Sequence, residues 1–243
     1  MSAPLARVGL GLMCKAPLAG VTKTRLAAMI GLDAAAAISR AFLSDCAGAA
    51  STAAGAIALD LVACYRPADA ATELARLLGP RWPLTYADRG DLGATMLDVL
   101  DSLLARSPGG GIVMGADVPL IGAATIAEAA RLLREGAENR VVIGPTFDGG
   151  YWLIGIRSAD RASSLFMPMT WSTPDVFAET VRRAQAAGLD LVTLPLQRDI
   201  DEPADLEWLK CELAHSSAEC PATRAALASL CVERRAIRAL THF

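Results

Sequence analysis

Short apolar runs alternate along most of the chain with segments of helical periodicity. Residues 7–14 (RVGLGLMC), 57–65 (IALDLVACY), 84–87, 112–115 (IVMG), 141–144, 151–156 and 189–196 are apolar runs of strand length. Between them, apolar residues recur every three or four positions and predict helices over 33–50, 68–78, 91–106, 125–135, 173–187 and 203–213. The clearest is 91–106, where Leu92, Met96, Leu100, Leu103 and Leu104 fall on one face. Punctuation agrees with the pattern. Asp33 and Asp91 can cap the helices that follow them, Gly79-Pro80 ends one, Ser172/Thr173-Pro174 opens another that Gly188 closes, and Pro203 sits in a first turn.

Strand-helix alternation of this kind predicts a three-layer α/β/α domain, a mostly parallel sheet covered by helices on both faces. The strand pair around Asp148-Gly149-Gly150 breaks the alternation and predicts one antiparallel excursion. Residues 1–215 make up this domain. Ser216–Pro221 reads as a linker to a helix over 222–240, with Leu227, Leu230 and Ile237 apolar. Residues 216–243 are thus expected to form a helical appendage, packed on the domain or on the second subunit of a homodimer.

Composition narrows the function. The 243 residues carry a net charge of −3 and no run of Lys or Arg, which excludes a general nucleic-acid surface and leaves room for a local phosphate pocket. No uncharged apolar stretch approaches the roughly 20 residues that span a bilayer, and Met1–Arg7 is too short and too weakly apolar for a signal peptide. Of the cysteines, Cys14, Cys46, Cys64, Cys211, Cys220 and Cys231, none forms a C-x-x-C pair. Free thiols in a reducing compartment, and a cytoplasmic protein, are the expectation.

In open α/β sheets ligands bind beyond the carboxyl ends of the strands, so the chemistry is sought just after each strand. The loop Lys15-Ala16-Pro17-Leu18-Ala19-Gly20-Val21-Thr22-Lys23-Thr24-Arg25-Leu26 follows the first strand. Its Lys15, Lys23, Arg25, Thr24 and Gly20 suit a polyphosphate, with cations neutralising oxygens where the backbone approaches closely; a solvated basic loop is the plainer alternative. It is no Walker A loop, because Thr22 stands where Gly must precede Lys-Thr. Nor is Gly9-Leu10-Gly11 a dinucleotide fingerprint, because Cys14 takes the third Gly position. Asp117, in Gly115-Ala116-Asp117-Val118-Pro119, ends a buried strand and must find solvent, a partner, a cap or a metal. Asp199-Ile200-Asp201-Glu202-Pro203-Ala204-Asp205 crowds four carboxylates at one junction, more than helix capping employs. Asp148, Gly149, Gly150 and Tyr151 form either a hairpin turn or a close backbone approach to a ligand. Asp91 is an N-cap, while Gly93 in the first helical turn hints at something packed against the backbone. Trp171, Ser172 and Thr173 sit at an expected helix start that could receive an anion.

In this order, Lys15 to Leu26, Asp91 to Gly93, Gly115 to Pro119, Asp148 to Tyr151, Trp171 to Thr173 and Asp199 to Leu206 resemble a bacterial family of GT-A-fold proteins. That family is like the nucleotide-diphospho-sugar transferases and its activity is largely unassigned. The resemblance covers about residues 7–210. Ala19 and Thr22 replace a usual Pro and Val, and Thr95 stands where Arg is expected. More distantly the layout is similar to molybdenum-cofactor guanylyltransferases and 2-phospholactate guanylyltransferase. The resemblance implies that Asp117 and Asp201, with Asp199 in reserve, hold Mg²⁺ (or Mn²⁺) on nucleotide phosphates. It implies a transferase acting on a nucleoside triphosphate or nucleotide-sugar and a small-molecule acceptor. Lys23, Asp117 and Asp201 would be catalytic. Lys15, Gly20, Thr24, Arg25, Asp91 and Gly93 would serve the nucleotide, and residues 148–151 and 171–173 the second substrate. Nucleotidyl transfer is the leading expectation, glycosyl transfer the alternative, and a nucleotide-binding protein without turnover the third.

Overall fold

The computed structural model describes residues 6–240, the side chains of Arg161 and of residues 233–240 excepted. Ile237, expected on the apolar face of the tail, and the first five residues therefore lie outside the description. Seven strands form one sheet: β1 (Val8–Lys15), β2 (Leu59–Arg66), β3 (Leu84–Tyr86), β4 (Gly111–Gly115), β5 (Arg140–Pro145), β6 (Tyr151–Ile156) and β7 (Asp190–Thr193). Their order is β3-β2-β1-β4-β6-β5-β7. All neighbouring pairs are parallel except those of β6, which runs antiparallel to both β4 and β5. The expected excursion is therefore β6, returning directly from β5 through the turn at Asp148.

The described residues form nine helices: α1 (Thr24–Ile30), α2 (Leu32–Ala56), α3 (Ala71–Leu78), α4 (Leu92–Leu104), α5 (Ala123–Glu135), α6 (Ala159–Ala162), α7 (Val176–Ala186), α8 (Pro203–His215) and α9 (Pro221–Leu240). Strand alternation explains the layers. Leu10 and Leu12 of β1 face one side and join Leu43, Ala47 and Ala50 of α2 and Ile126, Ala130 and Leu133 of α5 in one core. Gly9 and Gly11 face the other side, where a Cβ would meet Leu103 or Val99 at 2.9 Å, so the two glycines seat α4 directly on the sheet. Their place inside the strand is a packing requirement. On that second face Val99, Leu100 and Leu103 pack with Val113, Ile154 and Phe166. Burying each such side chain contributes roughly 1.5–3 kcal/mol.

A third apolar cluster joins Leu26 of α1, Ile38 and Phe42 of α2, Leu206 and Leu209 of α8, and Leu227 and Leu230 of α9. The buried carboxylate of Asp45 accepts the Ala222 and Thr223 backbone N–H groups at 3.0 and 2.7 Å, capping α9 from within α2.

Three expectations about elements need correction. The loop read over Lys15–Leu26 ends at Lys23: Thr24–Ile30 form α1, so Thr24 and Arg25 belong to its first turn. Asp33 caps nothing; α2 starts at Leu32 with Gly31 before it. Helix α7 begins at Val176, so Trp171, Ser172 and Thr173 lie in the preceding loop and offer no helix N-terminus to an anion. Asp91 does cap α4, its Oδ1 accepting the Ala94 N–H at 3.0 Å.

Candidate functional site

A cleft of about 460 Å³ runs along the carboxyl ends of the parallel strands. It gathers Lys15, Lys23, Asp91, Asp117, Asp148, Gly150, Tyr151, Trp171, Ser172, Thr173, Asp199 and Asp201. Segments spread over almost two hundred positions thus meet in one place because most of them follow parallel strands that end at the same edge, while residues 171–173 reach it from the loop before α7. β6 contributes by its start, since a reversed strand begins where its neighbours end.

At the centre lies Lys23. Its Nζ is 2.6 Å from Asp117 Oδ1 and 2.8 Å from Asp201 Oδ1, and its side chain is only 3% exposed against 53% and 46% for the two carboxylates. The Phe42 ring lies 5.8 Å from the ammonium. Lys23 has a left-handed backbone (φ 49°, ψ 43°), a conformation that costs a non-glycine residue roughly 1–2 kcal/mol. Burial alone would lower the lysine pKa, but the charges and hydrogen bonds of Asp117 and Asp201 outweigh it and hold the group above its ordinary value. Asp201 responds in kind: burial would raise it, yet Lys23, with help from Arg25 and Lys15, holds it below the usual carboxylate value.

Two braces fix the pair of carboxylates. The Ile200 N–H donates to the Asp117 carbonyl at 3.0 Å, tying the loop after β7 to the end of β4. Asp205 in the first turn of α8 accepts the Glu202 and Asp201 N–H groups at 2.9 and 3.3 Å and also receives Arg198 Nη1 at 3.0 Å. The Arg198 guanidinium in turn lies 5.1 Å from the Phe147 ring and 5.0 Å from Trp208. Asp205 is thus employed in holding the loop, and Asp199 and Asp201 remain turned to the cleft.

Charge is unevenly spread along the cleft. Lys15 and Arg66 are register partners at the ends of β1 and β2 and make a cationic end. Asp148, Asp199, Tyr151 and Trp171 line the opposite end, beyond β4. Asp148 Oδ1 accepts Thr146 Oγ1 at 2.6 Å and the Gly150 N–H at 2.9 Å. Burial, then the charge of Asp148 and that of Asp201, pushes the Asp199 carboxyl up to about 6. Tyr151 and Trp171 meet edge to face at 6.4 Å, and the Tyr151 hydroxyl and Trp171 Nε1 are buried without a hydrogen-bond partner.

Five sequence candidates do not line the cleft. Gly20 and Thr24 sit beside it, and Arg25 pairs with Glu202 at 3.1 Å on the surface. A Cβ on Gly93 would stand 2.5 Å from the Phe166 carbonyl and 2.8 Å from Trp171, so what packs on its backbone is this chain itself. A Cβ on Gly149, at φ 88°, would collide with the Pro174 carbonyl; the glycine admits the loop before α7 and no ligand. Conversely, Ser39 and Arg66 line the cleft and lie outside every segment singled out from the sequence, while Thr22, Asp88 and Thr146 line it from within or beside those segments. Arg66 was legible: it ends the second strand as Lys15 ends the first. Thr95, the departure from the family pattern, is buried in the cleft wall, donating to the Asp91 carbonyl at 2.8 Å and accepting the Arg89 N–H at 2.9 Å.

A divalent cation fits this donor set in part. Asp117 and Asp201 converge and are half exposed to the cleft, which matches Mg²⁺ bound by one or two carboxylates, with the rest of its shell from phosphates and water. Among the described residues, no group of three or more His, Cys, Asp or Glu forms an all-protein cage. All six cysteines are free; Cys14 and Cys64 are buried, and burial pushes both thiols up to about 12.

No helix among the described residues is long and apolar enough to cross a membrane. No curated protein sequence matches the chain. Among solved structures, a provisionally named nucleotide-diphospho-sugar transferase from Desulfovibrio desulfuricans G20 is 28% identical, with a TM-score of 0.82 over 92% of this chain and 96% of that one. A cytidylyltransferase from Leptospira borgpetersenii serovar Hardjo-bovis shares 16% identity at a TM-score of 0.56, covering 87% of this chain and 89% of that one. A 4-diphosphocytidyl-2C-methyl-D-erythritol synthase from Anaerococcus prevotii shares 10% at 0.58, covering 86% and 97%. At those two identities the likeness is one of fold. The fold is thus the α/β architecture of the nucleotide-diphospho-sugar transferase type. A family model described as an uncharacterized protein conserved in bacteria (DUF2064) matches residues 47–173, which carry Asp91, Asp117, Asp148 to Tyr151 and Trp171 to Thr173. With more than half its length so matched, the chain belongs to that bacterial family.

Proposed function

We propose that the protein is a cytoplasmic, Mg²⁺-dependent transferase that uses a nucleotide donor, with nucleotidyl transfer from a nucleoside triphosphate to a small hydroxylated acceptor as the leading reaction. The observation that carries this reading is the meeting of Asp117, Asp201 and Lys23 at the strand ends, in a cleft with cations at one end and carboxylates and aromatics at the other. The fold neighbours support it, since two of those described above are named for cytidylyl chemistry. Mg²⁺ held by Asp117 and Asp201, with Asp199 in reserve, would neutralise charge on the donor phosphates as the leaving group departs.

The chain's own residues do the positioning. Lys15 and Arg66 neutralise phosphate oxygens from the end of β1 and β2, and Asp91 and Thr95 line the wall between the two ends. Tyr151 and Trp171 offer an aromatic wall to the acceptor. Asp199, whose carboxyl titrates near 6, is the group at that end suited to take a proton from an acceptor hydroxyl.

Glycosyl transfer from a nucleotide-diphospho-sugar is the second reading, favoured by the name of the 28% identical neighbour. Thermal shift with the four nucleoside triphosphates and common nucleotide-sugars, each with and without Mg²⁺, tests both. A donor at 100 times its Kd should add roughly 2.7 kcal/mol of apparent stability. Pyrophosphate release identifies nucleotidyl transfer, and free nucleoside diphosphate identifies glycosyl transfer. No Mg²⁺-dependent stabilisation by any of these donors would sink the proposal.

A further inference from the structure

An ammonium stands where the donor set would receive a metal. Lys23 Nζ binds both Asp117 and Asp201, and the lysine is almost fully buried while each carboxylate is open to the cleft. Its backbone takes a left-handed conformation at the head of α1, which directs the side chain inward between the two strand-end loops. The Ile200–Asp117 backbone bond and the Asp205 brace hold both carboxylates in register around it. Like charges brought so close repel unless a cation sits between them. Here the chain supplies that cation itself.

We propose that Lys23 is a resident counter-ion for the Asp117–Asp201 pair, and that a divalent cation and the Lys23 ammonium compete for the same carboxylates. The inference rests on the metal assignment above and adds an order to it. A divalent ion alone meets a site already neutralised and binds weakly. Binding becomes favourable when donor phosphate arrives, because phosphate oxygens complete the ion's shell and also accept the ammonium it releases. Lys23 therefore acts as a gate that admits the metal with the donor and not before it. The physical basis is linkage: two cations that exclude one another from a shared anionic site each lower the other's affinity by the same factor.

The test uses Mn²⁺ alone, with no nucleotide, and the full chain. Binding is followed by the electron paramagnetic resonance signal of the free ion for the wild type, Lys23→Met and Asp117→Asn, after circular dichroism has checked each fold. Couplings between ligands usually span about 5–150-fold, so Lys23→Met is expected to bind Mn²⁺ at least ~10-fold more tightly than the wild type. Asp117→Asn is expected to bind less tightly than the wild type. Should Lys23→Met fail to fold, the wild type carries the test. Acylation by acetic anhydride is read by peptide mass spectrometry, with Lys210, which lies outside the cleft and pairs with Glu207, as internal reference. Saturating Mn²⁺ should raise the reactivity of Lys23 several-fold relative to it. A folded Lys23→Met that binds Mn²⁺ no better than the wild type, or Lys23 reactivity that does not rise, overturns the competition. If Asp117→Asn leaves Mn²⁺ binding unchanged, or no variant binds the ion, the metal assignment itself fails. Asp117-dependent binding that Lys23→Met leaves unaltered removes the gate alone.

Discussion

Asp205 tests how the candidate site is built, because its carboxylate serves two masters. Oδ2 receives the Glu202 and Asp201 N–H groups at the head of α8, and Oδ1 receives Arg198. Both carboxylate oxygens are thus in use. Asp205→Asn keeps one acceptor oxygen and places an NH₂ where the other stood, so it cannot satisfy both the backbone and the arginine. Asp205→Ala satisfies neither. Losing a helix-cap side chain costs about 0.5–2 kcal/mol. Arg198 then loses its only carboxylate partner among the described residues, in surroundings where its Nε already has none. Both partners are partly exposed, so this second cost is set near that of a solvent-screened pair, about 1 kcal/mol. We expect about 1.5–3 kcal/mol for Asp205→Ala and about 1–2 for Asp205→Asn. Urea unfolding measures both, and at about 2–4 °C per kcal/mol the thermal midpoint should fall by about 3–12 °C for the alanine variant. Conditions that keep the variant folded should still show weaker Mn²⁺-dependent donor binding, because the Asp201 backbone has lost its anchor. If both variants unfold within about 0.5 kcal/mol of the wild type, as ordinary surface substitutions do, Asp205 does not brace the loop.

Two further outcomes follow from the same geometry. Asp117→Asn should lower turnover by about 10²–10³, the scale of losing one preorganised electrostatic group, and should also cost some stability, because it leaves the buried Lys23 ammonium with Asp201 as its remaining carboxylate partner; full Mg²⁺-dependent turnover in that variant would refute its role. Asp199 has a folded pKa of about 6 against an ordinary value of 3.8, so the folded state binds its proton more tightly and stability falls as pH rises between those values. Asp199→Asn removes that loss: with solvent screening at this partly exposed carboxyl it should stabilise the protein by on the order of 1 kcal/mol above pH 7 and by little below pH 4, and an equal effect at both pH values would contradict this.

The strand-helix order and the reversed β6 were legible because apolar period and turn residues are local signals. Helix α1 was not, because it starts inside a segment whose Lys, Thr, Gly and Arg look like a loop. The helix start at Ser172-Thr173 failed for a related reason: hydroxyls and Pro174 mark a start, yet Pro174 is committed to contact with Gly149 and the helix begins later. At the site, the sequence located Lys23, Asp117 and Asp201 by their place after strands but left open which groups they face. Pairing depends on tertiary distance, and nothing near Lys23 in the chain announces that its partners are two aspartates. The glycines tell the same story. Their sequence signals a close approach at Gly93 and Gly149, and only the packed chain identifies Trp171, Phe166 and Pro174 as what approaches.

The bond between Lys23 and Asp201 joins residues 178 positions apart, whereas the β5–β6 hairpin that carries Asp148 and Tyr151 closes over a short turn. Contacts of long sequence separation carry the larger loop-closure cost and are rewarded late in folding. During synthesis the hairpin can pair while the chain is still growing, but the central ion cluster has to wait for the segment after β7 to emerge. The Lys23–Asp117–Asp201 cluster is therefore completed last, and a truncated or half-folded chain that has already built most of its sheet carries the Lys15–Arg66 cationic end without the paired carboxylates.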